Sequence, residues 1–169
     1  MSHSRDEVEA AFQRYWRVGA LEERWDDWPD CFTEDVHYVE RVYGELHGRE
    51  SVRAWITGLM KNNPHIHAVL NWYLIEDDRV VIHMLNRYYS PAPGGQPIDF
   101  PGMTVLGYAG DGLFSYEEDW WSMAAGRDCH ERFTRLLREH GAAAITETAE
   151  RRSKRDPWGG PSLTRSWSH

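Results

Sequence analysis

Cysteine is nearly absent from this 169-residue chain, which has only Cys31 and Cys129. Two thiols that far apart build no disulfide framework and have no metal-ligand spacing, so reduced thiols in a cytoplasmic protein are expected. Basic residues are also scarce, 19 Lys and Arg against 27 Asp and Glu, for a net charge of −8. That balance argues against partners that present phosphate, whether nucleic acid or an anionic membrane surface. No apolar run reaches the length of a membrane span. The opening residues, Met1-Ser2-His3-Ser4, lead into a polar helix pattern and lack the apolar core of a signal peptide. No segment repeats.

Aromatic side chains are plentiful, at 13% of residues with nine tryptophans, and the length suits one domain with its own core. They concentrate in Gly112 to Met123, which follows the turn signal Gly110-Asp111-Gly112. Read as one strand, this stretch sorts into two faces. Leu113, Ser115, Glu117, Asp119, Trp121 and Met123 share one; Phe114, Tyr116, Glu118, Trp120 and Ser122 share the other. Carboxylates in apolar company are costly unless paired, hydrated or used for chemistry. The second face is too aromatic to be left wet, so the last helix and tail, or a twofold partner copy, are expected to cover it.

Ser4 to Glu7 forms a capping box, and Val8, Ala11, Phe12, Tyr15 and Trp16 recur behind it at helical spacing, which predicts a helix from Arg5 to Leu21. A short helix over Trp25 to Phe32 and a strand over Val36 to Tyr43 follow. Gly48 opens a helix with the stripe Val52, Trp55, Ile56, Leu59 and Met60, ended by Asn62-Asn63-Pro64. His65–Ile75 and Arg79–Ser90 read as a hairpin, and a Pro/Gly-rich loop leads to the strand Ile98–Ala109. A last helix starts near Ala125 and stops at Gly141. Residues 1–141 form the expected domain and 142–169 a peripheral tail, with Trp158 and Trp167 free to fold back. Helices gathered on one side of a sheet make an α+β architecture, and a sheet curved around its contents leaves a hollow for a ligand.

Four phrases in this order resemble the SnoaL-like, nuclear-transport-factor-two-like superfamily. They are Asp27-Trp28 with Phe32 to Val36, Tyr43 to Trp55, His67 to Asn71, and Asp111-Gly112 with Glu118 to Trp121. The resemblance covers about residues 6 to 125. It implies a cone-shaped, curved antiparallel sheet closed by N-terminal helices, a cystatin-like α+β roll. It does not imply one activity: the superfamily holds ketosteroid isomerases, polyketide cyclases, scytalone-type dehydratases, limonene-type epoxide hydrolases and binding proteins. By resemblance Asp119 takes the place of one carboxylate of the epoxide hydrolases' water-activating group. Tyr38 falls where hydrolases and dehydratases keep a first-strand tyrosine, and His67 where the dehydratases have a catalytic histidine. The hydrolases' Arg-x-Asp is missing, since that strand reads His83-Met84-Leu85-Asn86-Arg87. The dehydratases' Tyr-Asp pair is replaced by Glu23-Arg24.

The expected function is therefore that of a small, cofactor-free acid–base enzyme, a lyase, isomerase or cyclase for an apolar carbonyl or hydroxylated ring compound. Asp119 would be base or acid, with Tyr38 and His67 as donors. Arg87 would pair with Glu40 or Glu117 or bind a substrate carboxylate, and Trp16 and Trp121 would line the hollow. His65, His67 and His83 do not fall together as metal ligands, so no metal is expected. Two alternatives stand: a non-catalytic binding protein of the same fold, and an epoxide hydrolase with a rearranged carboxylate site.

Overall fold

A computed structural model describes residues 3–143 apart from residue 93, together with Ile145. The expected tail thus lies outside the described residues, except for 142, 143 and 145. The first helix, α1 (Arg5–Trp16), is capped by the Ser4 hydroxyl, which accepts a hydrogen bond from the Glu7 N–H at 3.2 Å. It runs on into a π-helical turn, Arg17–Leu21. There Gly19 is required by packing: a Cβ built on it would lie 2.6 Å from the Trp28 ring. The expected second helix shrinks to a 3-10 turn, Trp28–Cys31, because Phe32 already has extended backbone.

Strand β1 (Phe32–Glu40) therefore starts four residues before the expected one and ends three earlier. The chain turns back into a short strand that the sequence reading missed, β2 (Gly44–His47). The Glu40 carboxyl holds this turn by accepting the Val42 and Tyr43 N–H groups at 3.0 and 2.7 Å. Helix α2 (Arg49–Asn62) follows Gly48, and then come β3 (Ile66–Glu76), β4 (Arg79–Tyr88), β5 (Asp99–Gly110) and β6 (Leu113–Trp121). The last helix, α3 (Met123–His140), begins two residues before the expected start, because the Ser122 side chain caps it.

The six strands make one curved, open sheet in the order β2-β1-β6-β5-β4-β3. Four of its pairings are antiparallel, but β1 and β6 run parallel, which corrects the expectation of a wholly antiparallel sheet. The cause is topological: α2 and four strands intervene before β6 returns beside β1, and a crossover of that length permits a parallel neighbour. Helix α1 lies across the sheet, where Val8, Phe12, Tyr15 and Trp16 join Val36, Tyr38, Ile82, Leu106 and Phe114 in the main core.

Phe114 was expected on the outer face and is fully buried instead. Between Gly107↔Tyr116 and Tyr108↔Phe114, β6 advances two residues while β5 advances one. Ser115 is thus the extra residue of a bulge, and a bulge reverses the parity of everything before it. From Tyr116 onward the expected parity holds.

Two glycines give opposite expectations for stability. Gly19→Ala forces Trp28 aside and should cost about 1–3 kcal/mol, seen as a lower thermal midpoint. In α2 a Cβ on Gly58 meets nothing within 4 Å. Gly58→Ala should raise the midpoint, because a mid-helix glycine costs about 0.8–1.0 kcal/mol relative to alanine.

Candidate active site

The inner face of the sheet is set by pairing. Asp119 on β6 sits between Glu40 on parallel β1 and Thr104 on antiparallel β5, and Glu117 lies opposite Tyr38. Paired residues share a face, so Tyr38, Glu40, Thr104, Glu117, Asp119 and Trp121 all point beneath α1 and α2. The helical stripe lowers Tyr15 and Trp16 onto them, and α2 adds Trp55. Together they line a cavity of about 210 Å³.

Each carboxyl has its own hydrogen-bond set. Asp119 accepts from the Tyr38 hydroxyl on Oδ2 and from the Thr104 hydroxyl on Oδ1. Glu117 accepts from the Tyr15 hydroxyl at 2.8 Å. Glu40 accepts from Trp121 Nε1 at 2.6 Å in addition to the two turn amides. Among the described residues, two polar atoms lining the cavity lack a hydrogen-bond partner: Trp16 Nε1 and Glu117 Oε2. Buried orphans of this kind mark where a ligand's own polar atoms are wanted.

Burial separates the acids. Asp119 is half-buried, and desolvation raises its pKa from 3.8 to about 6, although its bonds from Thr104 and Tyr38 pull the other way. Glu117 is 1% exposed, and burial, reinforced by the charge of Asp119, raises it well above the carboxylate range. Tyr15 and Tyr38 are raised too, first by burial and then by the acids they touch, so both remain donors. Burial thus holds Glu117 toward its protonated form, while Asp119 titrates near 6.

Tyr38 and Asp119 are thus in direct contact, with Glu40, Glu117, Trp121 and Trp16 around the same cavity. His67 lines the same cavity from β3, three strands from Asp119 in the sheet order. There its ring stacks on Tyr89 with centroids 4.3 Å apart. Arg87 pairs with neither Glu40 nor Glu117. It faces Asp99 across β4 and β5 and binds that carboxylate through Nε at 2.7 Å, on the opposite face from its neighbour Asn86, which lines the cavity. Thr104 and Tyr15 escaped the sequence reading. The hairpin itself held the signal for Thr104: counting back from Gly110↔Leu113, one residue per strand, reaches Thr104↔Asp119. The cluster with metal-ligand geometry is likewise unanticipated: His37, Glu45 and His47, on the first two strands, bring one donor atom each within 4.8 Å of one another.

The SnoaL-like domain matches residues 8–117 of the chain. No curated protein matches it. Several solved structures share its fold. One is a protein with a ketosteroid isomerase-like fold from Catenulispora acidiphila DSM 44928, solved in complex with trimethylamine. It is 19% identical at a TM-score of 0.53, over 78% of this chain and 92% of that one. An LEH-like epoxide hydrolase from M. tuberculosis is 14% identical at a TM-score of 0.59, over 79% and 96% of the two chains. TerC, co-crystallised with polyporic acid, is 14% identical at a TM-score of 0.59, over 74% and 98%.

The raised Asp119 has a consequence for stability. A carboxyl that binds its proton more tightly when folded destabilises the fold as pH climbs through the interval from 3.8 to about 6, and the loss persists at neutral pH. Asp119→Asn removes that ionisation. It should stabilise the protein by on the order of 1–3 kcal/mol at pH 7.5 and leave it nearly unchanged at pH 3.5, as thermal unfolding at the two pH values would show.

Proposed function

We propose that this chain, which belongs to the SnoaL-like domain family, is a small acid–base enzyme of the lyase, isomerase or cyclase type. Its substrate would be an apolar ring compound bearing an enolisable carbonyl or a hydroxyl group, and the chemistry draws on side chains alone. The carrying observation is Asp119, a carboxyl raised to about 6 and held by two hydroxyls against an aromatic cavity. In the forward step the Asp119 carboxylate takes a proton from the carbon next to the carbonyl. The C–H electron pair becomes the enolate, whose oxygen takes hydrogen bonds from the Trp16 N–H and from a proton on Glu117 Oε2, the two atoms left unpartnered. Returning the proton to another carbon isomerises the substrate; handing it instead to a β-hydroxyl, as the enolate electrons form the C=C bond and break the C–O bond, releases water and dehydrates it. Two carboxyls driven apart in pKa by their surroundings are what such a division of labour needs.

The epoxide hydrolase alternative loses support because Arg87 is turned away and bound to Asp99. The binding-protein alternative draws on the hydroxyls that already engage both oxygens of Asp119. A panel of cyclic ketones incubated in heavy water separates the readings. Deuterium should enter the α-carbon of a subset, with a rate that rises as pH passes about 6, and Asp119→Asn should lower it by roughly 100-fold or more. Ketones that bind without exchange, or exchange untouched by Asp119→Asn, would favour the binding protein.

A twofold pair belongs to the same proposal. Trp120 is 51% exposed on the outer face, with the Arg41 guanidinium 4.6 Å from its ring centroid. Sedimentation should give a dimer that Trp120→Glu dissociates; a wild-type monomer would remove this part.

A further inference from the structure

We infer that the cavity takes a ligand carrying a positive charge, a protonated or quaternary amine attached to a single ring. This names the substrate class for the site described above, and it rests on the acid–base reading only in so far as the ligand is also turned over. The first observation is a charge imbalance. Glu40, Glu117 and Asp119 line one cavity, and among the described residues no Lys or Arg lines it. The nearby arginines are committed elsewhere: Arg87 to Asp99, Arg53 to Asp30, and Arg41 to Glu118. Acidic groups gathered out of water without a counter-cation are costly, and a cationic ligand supplies the missing charge. An anionic ligand would meet the Glu40 and Asp119 carboxyls with no Lys or Arg to offset them, only His67 on β3.

The second observation is the wall. Trp16, Trp25, Trp28, Trp55 and Trp121 border the same space. The faces of aromatic rings carry negative electrostatic potential and attract ammonium groups, indole most strongly. Apolar aliphatic side chains would bury a neutral ring equally well, so repeated indoles beside carboxylates favour a cation. Size limits the choice further. An apolar cavity of about 150 Å³ holds a benzene molecule, so about 210 Å³ suits one ring with a compact substituent. Trp16 Nε1, a donor without a partner, calls for an acceptor on the same ligand, such as a carbonyl oxygen.

Two probes of one shape test this: phenyltrimethylammonium and its neutral counterpart tert-butylbenzene, in which carbon replaces the charged nitrogen. The full chain is titrated with each, followed by tryptophan fluorescence and by calorimetry. The ammonium compound should bind at least about tenfold more tightly. Glu40→Gln combined with Asp119→Asn should bring the two affinities together by weakening only the cation, and retained tert-butylbenzene binding reports that the cavity is intact. If the double variant loses both probes, the wild-type comparison decides alone. Equal or tighter binding of tert-butylbenzene to the wild type, or binding of neither probe, would overturn the inference. Because no turnover is measured, the readings fail separately. A cation preference without Asp119-dependent deuterium exchange sinks the acid–base enzyme alone, and exchange without a cation preference sinks the charged ligand alone.

Discussion

The hydrogen bond from the Tyr38 hydroxyl to Asp119 joins the two strands on which the site depends. It is possible only because β1 and β6 lie side by side and parallel, which puts Tyr38, Glu40, Glu117 and Asp119 on one face within two residue steps. An aspartate lowered into this much aromatic surface would be expelled or permanently protonated if nothing held its charged form. The Tyr38 and Thr104 hydroxyls do hold it, though incompletely, and the balance between their pull and desolvation leaves the group near neutrality. Glu117, more deeply buried and beside Asp119, is raised well above its ordinary value despite the opposing pull of Tyr15 and Tyr38. Different proton affinities for two carboxyls on one strand thus come from surroundings alone.

The helices complete this arrangement by different means. Helix α1 supplies the donors, Tyr15 to Glu117 and the unpartnered Trp16 N–H. It is fastened at its start, where Tyr108 reaches Glu7 at 2.8 Å and His3 reaches Asp78 at 2.9 Å. Helix α2 supplies Trp55, 5.2 Å from the Tyr38 ring. The Trp28 ring lies close to Gly19, so the π-helical turn after α1 and the 3-10 turn before β1 interlock and close the wall around Tyr38.

Much of the fold was legible because its signals are local. The Ser4 cap, the α1 stripe, the Asp111-Gly112 turn and the hairpin at Asp77-Asp78 each need only a few neighbouring residues. Period-two parity also put Glu117, Asp119 and Trp121 on the cavity side. It failed for Phe114, since a bulge at Ser115 depends on how β6 fits between β5 and β1 and leaves no mark in β6 alone. The parallel β1–β6 pairing and the short β2 were hidden for the same reason: both are decided by distant partners. The Tyr38–Asp119 contact was legible, but the Arg87 pairing was misread, because its partner Asp99 opens β5 and is set opposite by the β4–β5 register across a long loop. His67 was placed by resemblance, and it lines the same cavity from β3, three strands along the sheet from Asp119.

The parallel pairing also sets when the site can exist. Tyr38 and Asp119 are 81 positions apart, and Tyr15 and Glu117 are 102 apart. Closing loops of that length is entropically unfavourable before other contacts form, and chains dominated by distant pairings fold slowly. During synthesis Tyr15, Trp16, Tyr38 and Trp55 all emerge well before β6, with their aromatic surface lacking its partner strand. Until β6 docks, the β1–β2 hairpin exposes a sheet edge that any extended chain can pair with. The strand that delivers the acids therefore also seals that edge, so the completed carboxyl cluster and protection from misassembly arrive in the same step.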